Sequence, residues 1–74
     1  MKILVATKAA SSSWQRIAIL NVRKDGRFTR PKSLLGTAAS ALMASGVRTI
    51  ASDPAISDVF LSHGSIELRC TRVV

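Results

Sequence analysis

The chain has 74 residues with 11 Lys+Arg against 4 Asp+Glu, a formal net charge of +7, 47% hydrophobic residues and 4% aromatics. That length lies below the roughly 100 to 200 residues of a typical domain, so it leaves room for one domain and excludes an enzyme built from separate cofactor and substrate domains. The apolar fraction also excludes a disordered basic tail, which lacks the apolar surface to offset its ordering entropy.

Residues 2–7 (Lys-Ile-Leu-Val-Ala-Thr) form a short, β-branched apolar run that predicts a strand covered on both faces. Ala9 to Ser13 is a small-residue connector, and a longer strand runs from Trp14 through Ile17-Ala18-Ile19-Leu20-Asn21-Val22. It ends at Arg23-Lys24-Asp25-Gly26-Arg27-Phe28, where Asp25-Gly26 predicts a two-residue type I′ hairpin because both central positions need positive φ. Pro31, lacking an amide proton, ends the returning strand.

Beyond it, Leu34, Leu35, Ala38, Ala39, Leu42 and Met43 recur at the spacing of one helix face and predict the main helix. Gly46 followed by Val47 reads as a Schellman stop. Gly36, Ser40 and Ala44 form a row of small residues suited to close approach, against the chain's own sheet or, as the alternative, a second helix. Val47 to Ala51 reads as a strand. Ser52-Asp53-Pro54, with Ile56, Val59 and Phe60 as an apolar stripe, predicts a short second helix, with a hairpin turning at His63-Gly64 as its competitor.

In Ser65 to Val74, Ile66, Leu68, Cys70 and Val74 alternate with Glu67, Arg69 and Thr71, the pattern of a half-buried strand that Arg72 interrupts. The order β-β-β-α-β-α-β predicts a small α+β domain: one mainly antiparallel sheet with a main helix packed on a face.

A core of this size offsets the ordering entropy with little to spare, about 1.5 kcal/mol per residue, so stability is expected to be borrowed. Cys70 and His63, each the sole residue of its type, supply neither an intramolecular disulfide nor the four ligands of a structural zinc site. Homodimerisation is the remaining staple. The lone cysteine suits a reducing compartment, the apolar run at the amino terminus stops at Lys8, and no stretch reaches the roughly 18 to 20 apolar residues of a membrane span, so a cytoplasmic protein without membrane partners is expected.

The charge is concentrated. Arg16, Arg23, Lys24, Arg27, Arg30 and Lys32 fall in a segment whose one acid is Asp25. With a two-residue turn, Lys24 faces Arg27, Arg23 faces Phe28, Val22 faces Thr29 and Asn21 faces Arg30. Ala18, Leu20 and Val22 then point to the core, while Asn21, Arg23, Phe28 and Arg30 share the outer face. Such a ribbon fits the major groove of B-form DNA, and its Arg-aromatic surface equally suits stacking on unpaired bases. The candidate nucleic-acid-binding residues are Asn21, Arg23, Lys24, Arg27, Phe28, Arg30 and Lys32, the cations contacting phosphates and Asn21 or an Arg reaching a base edge, with Phe28 as a core residue the alternative should the hairpin twist onto a partner or the helix. The alternative is a charged hairpin edge guarding against aggregation, a task more often given to lysine than to the arginine found here.

Catalysis is not expected, and neither is a metal or cofactor. His63 with Asp58 and a serine forms no recognisable nucleophile motif, though a ribonuclease using His63 with arginines is the enzyme reading to exclude. Cys70 reads as a buried thiol and His63 as a residue at a helix end. Gly36 and Gly46 make no phosphate-binding loop.

The stretch Val22-Arg23-Lys24-Asp25-Gly26-Arg27-Phe28-Thr29-Arg30-Pro31-Lys32, followed by Leu34-Leu35-Gly36, resembles the opening of AbrB-like swapped-hairpin transcription factors, and Gly64 to Arg69 is similar to their closing strand. The resemblance covers about a fifth of the chain; Arg30 stands where that family has an apolar residue, the family's short helix is here longer and rich in Ala and Ser, and an extra segment precedes the closing strand. It implies an intertwined homodimer that binds operator DNA. From the residues alone, the leading expectation is a small basic DNA- or RNA-binding protein of the kind that regulates transcription, and the rival is a phage or mobile-element protein that docks on an acidic partner protein.

Overall fold

In the computed structural model, which describes residues 1–8, 13–31 and 36–73, the elements run β1 (Lys2–Lys8), β2 (Trp14–Asn21), α1 (Thr37–Ser52), β3 (Asp58–His63) and β4 (Ile66–Val73). The strands form one antiparallel sheet in the order β2-β1-β4-β3, and α1 packs across one face. This is the expected α+β class, reached as two hairpins joined by a helix. Among the described residues no helix is long and apolar enough to cross a membrane.

Strand alternation builds the core. Ile3 and Val5 of β1, Leu20 of β2, and Leu68 and Cys70 of β4 face the helix and are buried against Ala39, Met43, Val47 and Ile50 of α1. The opposite face has no element over it among the described residues, so β1 is covered on one side and not on both.

Three expectations are corrected here. First, α1 runs through Gly46 to Ser52, and Val47 to Ala51 is helix, not strand. Gly46 is buried, and a Cβ there would stand 2.8 Å from both Cys70 Sγ and Leu61 Cδ1. It serves close helix–sheet contact and does not stop the helix. Gly36, by contrast, is the N-cap residue, with open space where its Cβ would be, and Ser40 and Ala44 lie toward the hairpin segment.

Second, no helix follows Pro54. Asp53 Oδ1 accepts from Ala55 N at 2.9 Å, and Ile56 N donates to Asp53 O at 3.1 Å, closing a turn that leads into β3. The hairpin alternative is realised one residue further on, at Gly64-Ser65: His63 pairs with Ile66 and ends a strand, not a helix, and Gly64 takes φ +62 at the turn into β4. Ile56, Val59 and Phe60 fit the i, i+3, i+4 spacing of a helix face, but in β3 Val59 and Leu61 face the core while Phe60 faces away.

Third, the segment after Gly26 is not a strand of the sheet. Among the described residues its one β-bridge joins Val22 to Phe28. Residues 9–12 of the expected connector, Lys32, Leu34, Leu35 and Val74 lie outside the described residues.

Candidate nucleic-acid interface

The basic hairpin turns where the sequence placed it, with a different loop. Gly26 N donates to Arg23 O at 2.9 Å, Arg23 N donates to Arg27 O at 2.8 Å, and Gly26 has φ +85. These define a three-residue loop, Lys24-Asp25-Gly26, ending in a left-handed glycine, the commonest hairpin after the two-residue kind. Asp25 stabilises it by accepting from Arg27 N at 3.0 Å.

The extra loop residue shifts the register by one, and side-chain parity shifts with it. Phe28 therefore meets Val22, not Arg23, and packs against the core as a half-buried residue. A Cβ on Gly26 would lie 3.9 Å from Ala51 Cβ, and Arg30 Nη2 donates to Ser40 Oγ at 3.2 Å. The returning segment thus lies along the flank of α1, from the helix's last turn back to its first. The expected free-standing ribbon with Phe28 among its exposed guanidiniums does not form.

The cations nevertheless stay at the surface. Arg23, Lys24, Arg27 and Arg30 are exposed, as is Asn21, which with Arg30 lines a hollow of about 270 Å³ between β2 and Thr29–Pro31. The one ion pair in this group among the described residues, Arg27 Nε to Asp25 Oδ2 at 3.6 Å, is highly exposed and contributes little.

A second basic surface was not read from the sequence. The sheet pairings place Arg16, Ala6, Arg69 and Phe60 side by side across the uncovered face, and Ile19, Leu4, Thr71 and Asp58 in the parallel row. A β-bulge between Val5 and Ala6, where Ala18 and Arg16 are the successive partners, leaves Ile17 as the extra residue. Without it, Arg16 and Trp14 would share the core-facing parity of Ala18 and Leu20; the bulge turns both outward.

Trp14 and Phe60, from strands at opposite edges roughly 14 Å apart across three strand spacings, meet over the small Ala6 with ring centroids 5.9 Å apart and planes tilted by 56°. Arg69 Cζ stands 5.0 Å from the Phe60 centroid and Lys8 Nζ 6.0 Å from that of Trp14. Phe60 remains 63% exposed, forgoing much of the about 1.5–3 kcal/mol that burying its ring would contribute. The period-2 alternation of Asp58 to His63, with Val59 and Leu61 on one side and Phe60 on the other, was the available signal for Phe60. The bulge that exposes Trp14 has none in the sequence.

Arg69 is fixed by Asp58, donating through Nη2 at 2.6 Å and through Nε at 3.0 Å, while Thr71 Oγ1 donates to the same carboxylate at 3.0 Å. These hydrogen bonds, Arg69's first, outweigh burial and hold the Asp58 carboxyl below its ordinary value. Cys70 lies on the other face, and burial, with the Asp58 charge, pushes its thiol up to about 11. Among the described residues no three His, Cys, Asp or Glu side chains come together as a metal site.

No known protein family, curated protein or solved structure matches the chain, so the partial resemblance to AbrB-like factors gains no support from these comparisons.

Proposed function

We propose that this chain is a nucleic-acid-binding protein, with Arg23, Lys24, Arg27 and Arg30, and Lys32 following them, holding the phosphate backbone. The observation that carries this reading is an arginine-rich hairpin whose described cations, Arg23, Lys24, Arg27 and Arg30, stand in solvent with one weak ion pair among the described residues, on a chain of net charge +7. Each phosphate they neutralise releases condensed counterions, so affinity accrues from cation number without a shaped pocket. Guanidinium forks suit phosphate and base edges better than they suit solubility alone. Because the hairpin lies along α1, it meets the backbone with its exposed edge and does not insert two strands into a groove.

The proposal includes no catalytic step. It retains the homodimer expected from the small core; light scattering at tens of micromolar should give twice the 7.9 kDa chain mass, and the monomer mass removes that part.

The test of binding is fluorescence anisotropy of labelled single-stranded and duplex oligonucleotides at about 50 mM salt, with the chain and with its Arg23→Ala/Lys24→Ala/Arg27→Ala/Arg30→Ala variant. The reading expects micromolar or tighter binding that falls at least tenfold in the variant, whatever the base sequence. Equal binding by chain and variant removes the hairpin from the site. Absence of binding by the unmodified chain overturns the proposal and turns the search to an acidic protein partner.

A further inference from the structure

The uncovered face of the sheet combines features that hairpin phosphate contacts do not require. Trp14 and Phe60 are large rings held on rigid strands over a floor of Leu4, Ala6 and Thr71, beside a hollow of about 280 Å³ walled by Trp14, Arg16 and Arg69. The acids on this face are Asp58, already bonded to Arg69, and Glu67; the cations are Lys2, Lys8, Arg16 and Arg69. An exposed phenyl ring and a half-buried indole interleaved with cations are suited to a ligand that is itself flat rings on an anionic backbone.

We propose that this face is a stacking platform for unpaired nucleobases, so that the nucleic acid the chain binds is single-stranded; this deepens the reading above and rests on it. A single strand offers the π-face of each base to an aromatic ring, in any sequence, with its phosphates left at the rim. A duplex hides those faces in its own stack, and a broad sheet cannot reach its base edges. A second copy of this chain is the poorer occupant: face-to-face association sets Lys2, Lys8 and Arg16 of each copy near the same cations of the other, whereas a polyanion reverses the sign of every one of those contacts.

The geometry also joins the platform to the hairpin. Ile19 and Asn21 continue the open face to the outer edge of β2, and Asn21 lines a common hollow with Arg30. A strand whose bases lie on Trp14 and Phe60 and whose backbone crosses β2 at Arg16 arrives at Arg30 and the loop cations.

Trp14 is the only tryptophan, so its emission reports the platform directly. The experiment titrates the full chain, its Phe60→Ala and Phe60→Tyr variants with oligothymidylate of about 12 nucleotides, an abasic phosphodiester of that length and a duplex of that length, reading Trp14 emission and anisotropy together. The expected result is quenching of Trp14 by oligothymidylate, about tenfold weaker binding for Phe60→Ala with an unchanged melting temperature, recovery in Phe60→Tyr, and binding of the abasic strand that ignores Phe60. Oligothymidylate binding with unaltered Trp14 emission and no effect of Phe60→Ala overturns the platform and leaves hairpin binding standing. Preference for the duplex overturns the platform as well, and binding of none of the three ligands overturns both readings.

Discussion

Arg72 lies on the helix side of β4, in register with Leu68 and Cys70, and its Nη2 donates to the carbonyls of Ile50 at 2.8 Å, Ile56 at 3.0 Å and Asp53 at 3.3 Å. Those carbonyls end α1 and open the turn beyond it, where a cation also meets the negative end of the helix dipole. Its Nε is buried without an acceptor, which subtracts from the gain. Arg72→Leu is expected to lower stability by about 2 kcal/mol in urea denaturation; a loss below about 0.5 kcal/mol would deny the clasp its role. Arg69 of the same strand acts on the other face. Because Asp58 is held below its ordinary carboxyl value, it favours the folded state above that value, and the contribution disappears as pH falls through the lowered folded value. Unfolding midpoints measured from about pH 6 down to pH 2 should therefore drop less steeply in Asp58→Asn than in the parent chain. Cys70 behaves oppositely: with its thiol raised to about 11, the stability linked to its protonated form is complete below the ordinary value of 9.0 and lost as pH rises toward 11. Folded protein at about pH 8 should leave Cys70 unlabelled by a thiol reagent on the timescale that labels unfolded chain at once.

At the scale of elements, Gly46 shows why a local rule misled. Glycine after a run of periodic apolar residues ordinarily marks a helix end, but here the backbone at Gly46 approaches Cys70 and Leu61 too closely for a Cβ. Replacing it with alanine improves helix propensity by about 1 kcal/mol and yet forces a contact of 2.8 Å on a fully buried sulfur. Gly46→Ala is expected to be destabilising by about 1–3 kcal/mol, readable as a lower thermal midpoint, and a neutral or stabilising result would contradict the fit described. Strand β4 was legible because one buried face imposes a period of 2 on its residues, β1 because it is a β-branched apolar run, and β2 because its apolar run leads into the Asp25-Gly26 turn. Strand β3 was not, since Ile56, Val59 and Phe60 also fit a period of 3.6, and only the partner β4 decides between them. The hairpin was legible in place and not in register: one residue more in the loop moved Phe28 from the basic surface into the core. The bulge at Ile17 likewise depends on pairing between strands and brought Trp14 and Arg16 to a face that sequence alone assigned to neither.

For the whole molecule, the charge of +7 is divided unevenly. Arg72 is engaged at the helix end and Arg69 with Asp58, while the hairpin cations and Lys2, Lys8 and Arg16 face solvent from two adjoining surfaces. That the protein is strongly basic was evident from its composition, and the hairpin half of the candidate site from the clustering of its arginines. The aromatic half became visible only when the sheet brought its two edge strands under one pair of rings. The central claim is that these cations meet phosphates, and the most direct measurement is the affinity for a labelled single strand as a function of salt. With about four neutralised phosphates at about 0.7 each on a single strand, log K should fall against log salt with a slope of about −3, shallower by about 0.7 for each hairpin cation removed. A slope near zero, or a slope that the hairpin substitutions leave unchanged, would contradict the account.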